Sequence, residues 1–142
     1  MNDPFHLQRF IDAQDSVYED VLKELKMGQK VTCWMWYIFP QIRGLGSTAT
    51  SQKYAINSLE EARAYLDHPF LGERLRTCTQ VVINTDERTS RQIFGYIDDI
   101  KFRSSMTLFN CISENNQIFK DALLKYYKGK ADKRTLDILK NL

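Results

Sequence analysis

Residues 34–46 read WMWYIFPQIRGLG, and we expect the rest of the chain to fold around them. The first six side chains of this stretch are large and apolar or aromatic, so they are strongly driven out of water. Pro40 then ends regular structure, and the glycines beyond it allow the backbone to turn tightly. Gln41 and Arg43 are thereby placed beside the aromatic block, which predicts one wall of a pocket.

Length and composition are those of an ordinary globular protein. The chain has 142 residues, of which 43% are hydrophobic and 27% are charged, enough for one core. No apolar run approaches the roughly 18 residues of a membrane span, and the N-terminal residues lack the pattern of a secretory signal. We therefore expect one helical domain over residues 1–142 that is soluble and cytoplasmic, with no membrane partner.

The charge balance gives little support to nucleic-acid binding. The formal net charge is +2, and residues 91–142 carry ten Lys or Arg against six Asp or Glu. Lysines on solvated helical faces account for this excess more simply than a phosphate-binding stripe does. We do not expect a nucleic-acid partner, although salt-dependent binding to DNA or RNA would support one.

The cysteines do not indicate a disulfide or a metal site. Cys33, Cys78 and Cys111 are odd in number and far apart, without a CxxC motif. Together with His6 and His68 they supply too few clustered ligands for zinc. We expect reduced thiols, no metal and no cofactor.

Apolar residues recur at helical spacing through most of the chain. Five capping signals mark expected helix starts. They are Asp3 before Pro4, Ser16 with Glu19, Ser58 with Glu61, Thr89 with Gln92, and Asp132. Because no convincing partner strand exists for the aromatic block, we expect it to be a short helix or an irregular buried segment. The predicted fold class is all-α, a compact bundle of about six to eight helices with a buried aromatic segment.

A long helix is expected to start near Asp98 and Asp99, with Ile100 and Met106 on its inner face. Carboxylates favour the positive end of the helix dipole, so capping alone accounts for both aspartates. They are also the best candidates for acid–base catalysis. Adjacent helical residues diverge by about 100°, which disfavours a joint role on one substrate.

The aromatic stretch also offers candidate ligand-binding groups. Trp34 and Trp36 are suited to stacking on a planar ligand, with plain core packing as the alternative. Gln41 and Arg43 present planar polar groups suited to an anionic or amide ligand, with a capped surface turn as the alternative.

A second candidate segment lies on the long helix. It contributes two cations and two hydroxyls, namely Lys101, Arg103, Ser104 and Ser105. A nucleophilic serine would need a nucleophile elbow and a histidine base, and neither is visible. Close helix packing or a hydrogen bond to a ligand is therefore the preferred interpretation of the serines.

Several motifs together resemble one known family. They are LQRFIDAQ at 7–14, WMW at 34–36, FPQ at 39–41, RGLG at 43–46, EARAYL at 61–66, IFGY at 93–96 and RSSMTLF at 103–109. This pattern resembles the domain of unknown function 1810 family almost from end to end. The resemblance implies a mainly α-helical single domain without an established activity. Some family members carry the label calpastatin, a disordered inhibitor, which the globular composition of this chain contradicts.

One position departs from the family pattern. Family members often have histidine immediately before Trp-Met-Trp, whereas this chain has Cys33, so a general base is not expected there. A fainter similarity, at Gln52-Lys53-Tyr54 and in residues 106–136, is to the ADP-ribose-processing NADAR glycosidases. The catalytic glutamate of that family would fall near Gly46, where this chain has no carboxylate.

Two hypotheses of function follow. The first is a polar-lined aromatic pocket that binds a small anionic or nucleotide-like ligand. Under this hypothesis the protein either only binds that ligand or also hydrolyses it. The second is a non-enzymatic protein-interaction or structural module without a ligand pocket. Convergence of Arg43 with Lys101 or Arg103 on one cavity would favour the first.

Overall fold

The computed structural model of the chain describes residues 2–115 and 117–142, and it is mainly helical, as the sequence predicts. Within those residues there are ten helices, of which seven span eight residues or more. In chain order they are α1 Gln8–Asp15, α2 Tyr18–Lys26, α3 Met35–Ile38, α4 Ala49–Lys53, α5 Leu59–Asp67, α6 Leu71–Ile83, α7 Ser90–Phe94, α8 Tyr96–Ile112, α9 Gln117–Tyr127 and α10 Lys133–Lys140. None of the helices in this described part is long and apolar enough to cross a membrane.

The long helix α8 lies at the centre of the packing. It contacts α3, α5, α7, α9 and α10. Its inner face includes Phe102, whose ring centroid lies 4.6 Å from that of Phe94 and 5.0 Å from that of Phe39. Stacked and edge-to-face ring pairs of this kind add about 0.5–1.5 kcal/mol each beyond the area they bury. The aromatic block is thus fixed against α8.

The aromatic block forms the short helix α3, in agreement with the sequence-based expectation. Trp34 precedes it and is only 1% exposed, so its indole N–H needs a partner inside the protein. That partner is Glu24 on α2, whose Oε1 accepts the indole N–H at 3.0 Å. The same carboxylate accepts hydrogen bonds from the backbone N–H of Val31 at 2.6 Å and of Thr32 at 2.9 Å. The buried carboxylate of Glu24 therefore fixes the segment that leads into α3.

Beyond Pro40 the chain makes a parallel β-bridge between Ile42 and Ile56. The N–H of Arg43 donates to the carbonyl of Ile56, and the N–H of Ile56 donates to the carbonyl of Gln41, both at 2.9 Å. This bridge places residues 41–46 beside residues 51–57.

Three of the predicted helix caps are confirmed. Ser58 and Asp132 accept hydrogen bonds from the N–H groups three residues further on. Thr89 and Gln92 form a complete capping box at the start of α7. These signals are local in the sequence, which is why they predict helix starts well.

Two predicted helix starts are wrong. Helix α1 begins at Gln8 rather than at Pro4, because the Asp3 carboxylate accepts the N–H groups of Leu7 and Gln8 across an intervening turn. Helix α2 begins at Tyr18 and has no side-chain cap, so Ser16 does not cap it.

The predicted inner face of α8 is wrong at its first position. Ile100 is exposed, whereas Met106 is fully buried as predicted. Phe102 faces the core, and Ile100 is two residues from it, about 200° away around the helix. The exposed side chains of Tyr96 and Ile97 share the outer face with Ile100.

Candidate functional site

A small cavity of about 110 Å³ lies between the two segments that the β-bridge joins. We call it the Gln41 cavity. Its lining comes from residues on both sides of the bridge, including Trp36, Gln41, Arg43, Ser51 and Asn57. Pockets for drug-sized ligands measure roughly 300–1,000 Å³, so this cavity suits only a few non-hydrogen atoms.

The Gln41 side chain is the most unusual feature of this cavity. Gln41 is 4% exposed, and its Nε2 has no hydrogen-bond partner among the described residues. Burying an amide without a partner costs about 1–3 kcal/mol, and almost all buried polar groups in proteins are paired. The cavity is therefore lined by a hydrogen-bond donor whose capacity is unused.

Arg43 lies at the exposed side of the same cavity. Its backbone N–H is fixed in the bridge to Ile56, and its guanidinium forms no ion pair with any residue in 2–115 or 117–142. A guanidinium presents its N–H donors in a planar fork that matches carboxylate and phosphate oxygens. Gln41 and Arg43 thus offer donors, and no negative charge, to the cavity.

Gly46 makes room for the aromatic wall. A Cβ at this position would lie 2.9 Å from Cη2 of Trp36 and 2.8 Å from Oγ of Ser51, closer than real Cβ contacts. The half-buried indole of Trp36 reaches the cavity only because residue 46 has no side chain.

A second cavity, of about 170 Å³, adjoins the first, and Trp36 lines both. We call it the Lys101 cavity. Its lining is partly aromatic and partly charged, and consists of Lys30, Cys33, Trp34, Met35, Trp36, Tyr37, Thr50, Asp98 and Lys101. Lys101 Nζ lies 4.3 Å from the ring centroid of Trp36, and Lys30 Nζ lies 5.0 Å from that of Trp34. These distances are within the range of cation–π contacts.

The predicted site residues are thus divided between neighbouring places. Trp36, Gln41 and Arg43 line the Gln41 cavity. Trp34, Trp36, Asp98 and Lys101 line the Lys101 cavity. Arg43 and Lys101 were expected to converge on one cavity. They instead line two different cavities, which share the indole of Trp36.

The other cation and carboxylate predicted from α8 lie elsewhere and line neither cavity. Arg103 donates from Nε to the carbonyl of Lys130 at 2.9 Å, and its guanidinium lies 5.3 Å from the ring centroid of Tyr127. Asp99 accepts the hydroxyl of Tyr127 at 2.7 Å. Burial, with the Asp99 carboxylate alongside, raises the pKa of Tyr127 well above its usual value.

The two predicted serines also line neither cavity. The Ser104 hydroxyl donates to the carbonyl of Ile100 at 3.1 Å, one turn back on the helix. Ser105 is fully buried, and its hydroxyl has no hydrogen-bond partner within the described residues. Helix rotation places Arg103 about 200° from Lys101, whereas Ser104 and Ser105, on the same side as Lys101, are buried in the packing.

Lys30, Ser51 and Asn57 are among the cavity-lining residues that were not predicted from the sequence. Lys30 precedes the aromatic block by only four positions, and that proximity was the available signal. Ser51 and Asn57 reach the Gln41 cavity through the β-bridge, which no local pattern indicates. The backbone N–H of Asn57 is held by the carboxylate of Glu61 at 3.1 Å.

The three cysteines are free thiols. Cys33 is exposed and lies at the Lys101 cavity, and Cys111 is also exposed. Cys78 is fully buried, and burial raises the pKa of its thiol to about 12. Within residues 2–115 and 117–142, no group of three or more His, Cys, Asp or Glu side chains is placed to hold a metal ion.

This is a helical fold with two adjoining cavities built around one aromatic segment. Residues 4–139 match the family described as protein of unknown function (DUF1810), and the chain belongs to that family. It is also similar to a solved structure, the crystal structure of the conserved hypothetical protein Rv1873 from Mycobacterium tuberculosis. The two are 50% identical, with 97% of this chain and 99% of that chain covered and a TM-score of 0.96. No curated protein matches the chain.

Proposed function

We propose that this protein binds a small carboxylate-type anion in the Gln41 cavity. The observation that carries the proposal is the side-chain amide of Gln41, which is 4% exposed and has no hydrogen-bond partner for Nε2 among the described residues. A ligand that accepts this hydrogen bond offsets the cost of burying the amide.

The chemistry of the lining supports an anion rather than a cation. Gln41 supplies an N–H donor and Arg43 supplies a planar fork of donors with a positive charge. Both groups therefore require an acceptor, and a carboxylate offers two oxygens in one plane. The flat indole of Trp36 favours a flat group beside it. The volume of about 110 Å³ favours a small ligand over a whole nucleotide.

The proposal is binding without bond cleavage. Asp98 accepts from two lysines, at 2.8 Å from Lys30 and 3.1 Å from Lys101. Asp99 is engaged with Tyr127. Since neither carboxylate lines the Gln41 cavity, neither is in reach of a ligand held there as a general base.

The test is a titration with small anions, followed by NMR of the Gln41 side-chain amide. The panel contains acetate, benzoate and inorganic phosphate, with acetamide as the neutral counterpart of acetate. We expect a carboxylate to shift the Gln41 amide resonances, and we expect Arg43→Gln to weaken that binding about tenfold. The matched control is Arg63→Gln, which removes an exposed arginine from α5, away from the cavity lining. No shift of the Gln41 amide with any anion, or an equal shift with acetamide, would reject the proposal.

A second candidate function, a protein-interaction module, is favoured by one observation. Tyr96, Ile97 and Ile100 are exposed together on the outer face of α8. Clustered exposed apolar side chains are typical of protein-binding surfaces. If this face mediates self-association, the sedimentation coefficient will rise with protein concentration, and Ile97→Lys will abolish that rise. A concentration-independent sedimentation coefficient would remove self-association from consideration.

A further inference from the structure

The Lys101 cavity has an unbalanced charge. The ammonium groups of Lys30 and Lys101 share a single carboxylate, that of Asp98, at 2.8 Å and 3.1 Å. No other carboxylate among the described residues forms an ion pair with either lysine. The cluster therefore carries one net positive charge.

This charge is largely removed from solvent. The side chains of Lys30, Asp98 and Lys101 are 8%, 17% and 21% exposed. A charge taken out of water without a counter-charge is costly, because the protein interior solvates it poorly. An anion in the adjoining cavity is the simplest counter-charge.

The remaining walls select the kind of anion. Trp34 and Trp36 contribute indole rings, Tyr37 contributes a phenol and Met35 contributes an apolar chain. Such surfaces favour a flat apolar body, since aromatic rings and the methionine sulfur both pack well against an aromatic ligand. The volume of about 170 Å³ limits that body to a small ring.

We propose that the Lys101 cavity is a second binding site, which takes a small aromatic carboxylate. Its carboxylate lies near Lys101 and Lys30, where it balances the net positive charge, and its ring packs among the indoles. This site uses a different set of charged residues from the Gln41 cavity, so it does not depend on the proposed function.

Cys33 provides the reporter for this site, because its thiol is exposed and lies at the Lys101 cavity. In a Cys111→Ser background, Cys33 is the exposed cysteine and Cys78 is buried. The experiment measures the rate of Cys33 alkylation by iodoacetamide, a neutral reagent, in the presence of benzoate or of benzamide. We expect benzoate to slow alkylation several-fold in a saturable manner, and benzamide, which lacks the charge, to have little effect.

Two substitutions at the charged cluster should act in opposite directions. Lys101→Met leaves Asp98 paired with Lys30 and removes the net charge, so half-maximal protection should require about tenfold more benzoate. Asp98→Asn removes the competing carboxylate, so protection should require less benzoate than in the parent. In each variant the rate with ligand is compared with the rate without it, which cancels any change in intrinsic thiol reactivity.

The outcomes separate this proposal from its alternatives. If benzoate still protects Cys33 in the Arg43→Gln variant, the benzoate lies in the Lys101 cavity. If Arg43→Gln abolishes the protection, the benzoate lies in the Gln41 cavity and the proposal is overturned. Equal protection by benzamide would show that the charge is not recognised and would also overturn it. So would the absence of protection by benzoate, or weaker binding in both Lys101→Met and Asp98→Asn. A melting curve of each variant confirms that the protein compared is folded.

Discussion

Arg9 and Glu61 form a buried ion pair between α1 and α5, in which Nη2 of Arg9 lies 2.7 Å from Oε2 of Glu61. The guanidinium uses all of its N–H donors. Its other acceptors are the backbone carbonyls of Phe5, His6, Lys53 and Ala55, at 2.7–2.9 Å. Glu61 in turn holds the backbone N–H of Asn57. The pair therefore fixes residues 53–57, of which Ala55 and Asn57 line the Gln41 cavity.

Removing one member of this pair should be strongly destabilising. Arg9→Met leaves a buried carboxylate without its cation, which costs on the order of 3–5 kcal/mol in the free energy of unfolding. The double variant Arg9→Met/Glu61→Gln removes that carboxylate and should recover part of the loss. Urea unfolding of both variants measures this. A double variant less stable than the single one would show that Glu61 stabilises the fold without Arg9, through the N–H of Asn57.

Gln41→Met should make the protein more stable. The substitution keeps the length of the side chain and removes the amide whose Nε2 has no partner among the described residues, so we expect a gain of about 1 kcal/mol in the free energy of unfolding. It should also abolish carboxylate binding in the Gln41 cavity. Urea unfolding and ligand titration of the same sample measure the two effects. A loss of stability would mean that the amide serves the fold, which contradicts its assignment to a ligand.

Gly46→Ala should close the Gln41 cavity. The new methyl group would lie under 3 Å from both Trp36 and Ser51, so one of them must move. Overpacking of this kind costs about 1–3 kcal/mol. We expect a lower melting temperature together with lost carboxylate binding. The matched control is Gly95→Ala, whose Cβ would meet no atom within 4 Å, although its φ of 84° adds backbone strain. Unchanged carboxylate binding in Gly46→Ala would contradict the proposed position of the ligand.

The carboxyl group of Glu24 should make the free energy of unfolding depend on pH in the acidic range. Burial raises the pKa of this carboxyl, but hydrogen bonds from Thr32, Val31 and Trp34 outweigh burial and lower the pKa to about 2, from the ordinary 4.5. A lowered folded-state pKa gives stability that is complete above pH 4.5 and is lost as the pH falls towards 2. This contribution is on the order of 3 kcal/mol.

The comparison that isolates this effect is wild type against Glu24→Gln, unfolded with urea between pH 7 and pH 2. The wild type should be the more stable protein at pH 7, and the difference should shrink below pH 4.5. A difference that stays constant across this range would show that ionisation of Glu24 contributes nothing.

Local signals account for what the sequence predicted well. The caps Ser58, Thr89 and Asp132 act within three or four residues of themselves, so no knowledge of the fold is needed to interpret them. Asp3 and Ser16 carry the same signal, but Asp3 caps across a turn and α2 starts without a side-chain cap. Propensity alone does not separate these cases.

The site was predictable only where it is contiguous in the chain. Trp36, Gln41 and Arg43 lie within eight residues, and they do line one cavity. Contacts between distant segments could not be predicted. The ion pair of Arg9 with Glu61 spans 52 positions, and nothing near either residue indicates the other. The face that α8 presents to the core is a further limit: Ile100 and Phe102 lie about 200° apart around the helix and both are apolar, so residue type does not indicate which of them is buried.

The two tryptophans of this chain differ in their surroundings, so their intrinsic fluorescence can be used to detect ligand binding. Trp34 is 1% exposed and hydrogen-bonded to Glu24, so its emission should respond less to an added quencher than that of Trp36. Trp36 is half-buried between the two cavities, and a molecule entering either one would touch its indole. Fluorescence from a Trp34→Phe variant would therefore follow occupancy at both places without any label.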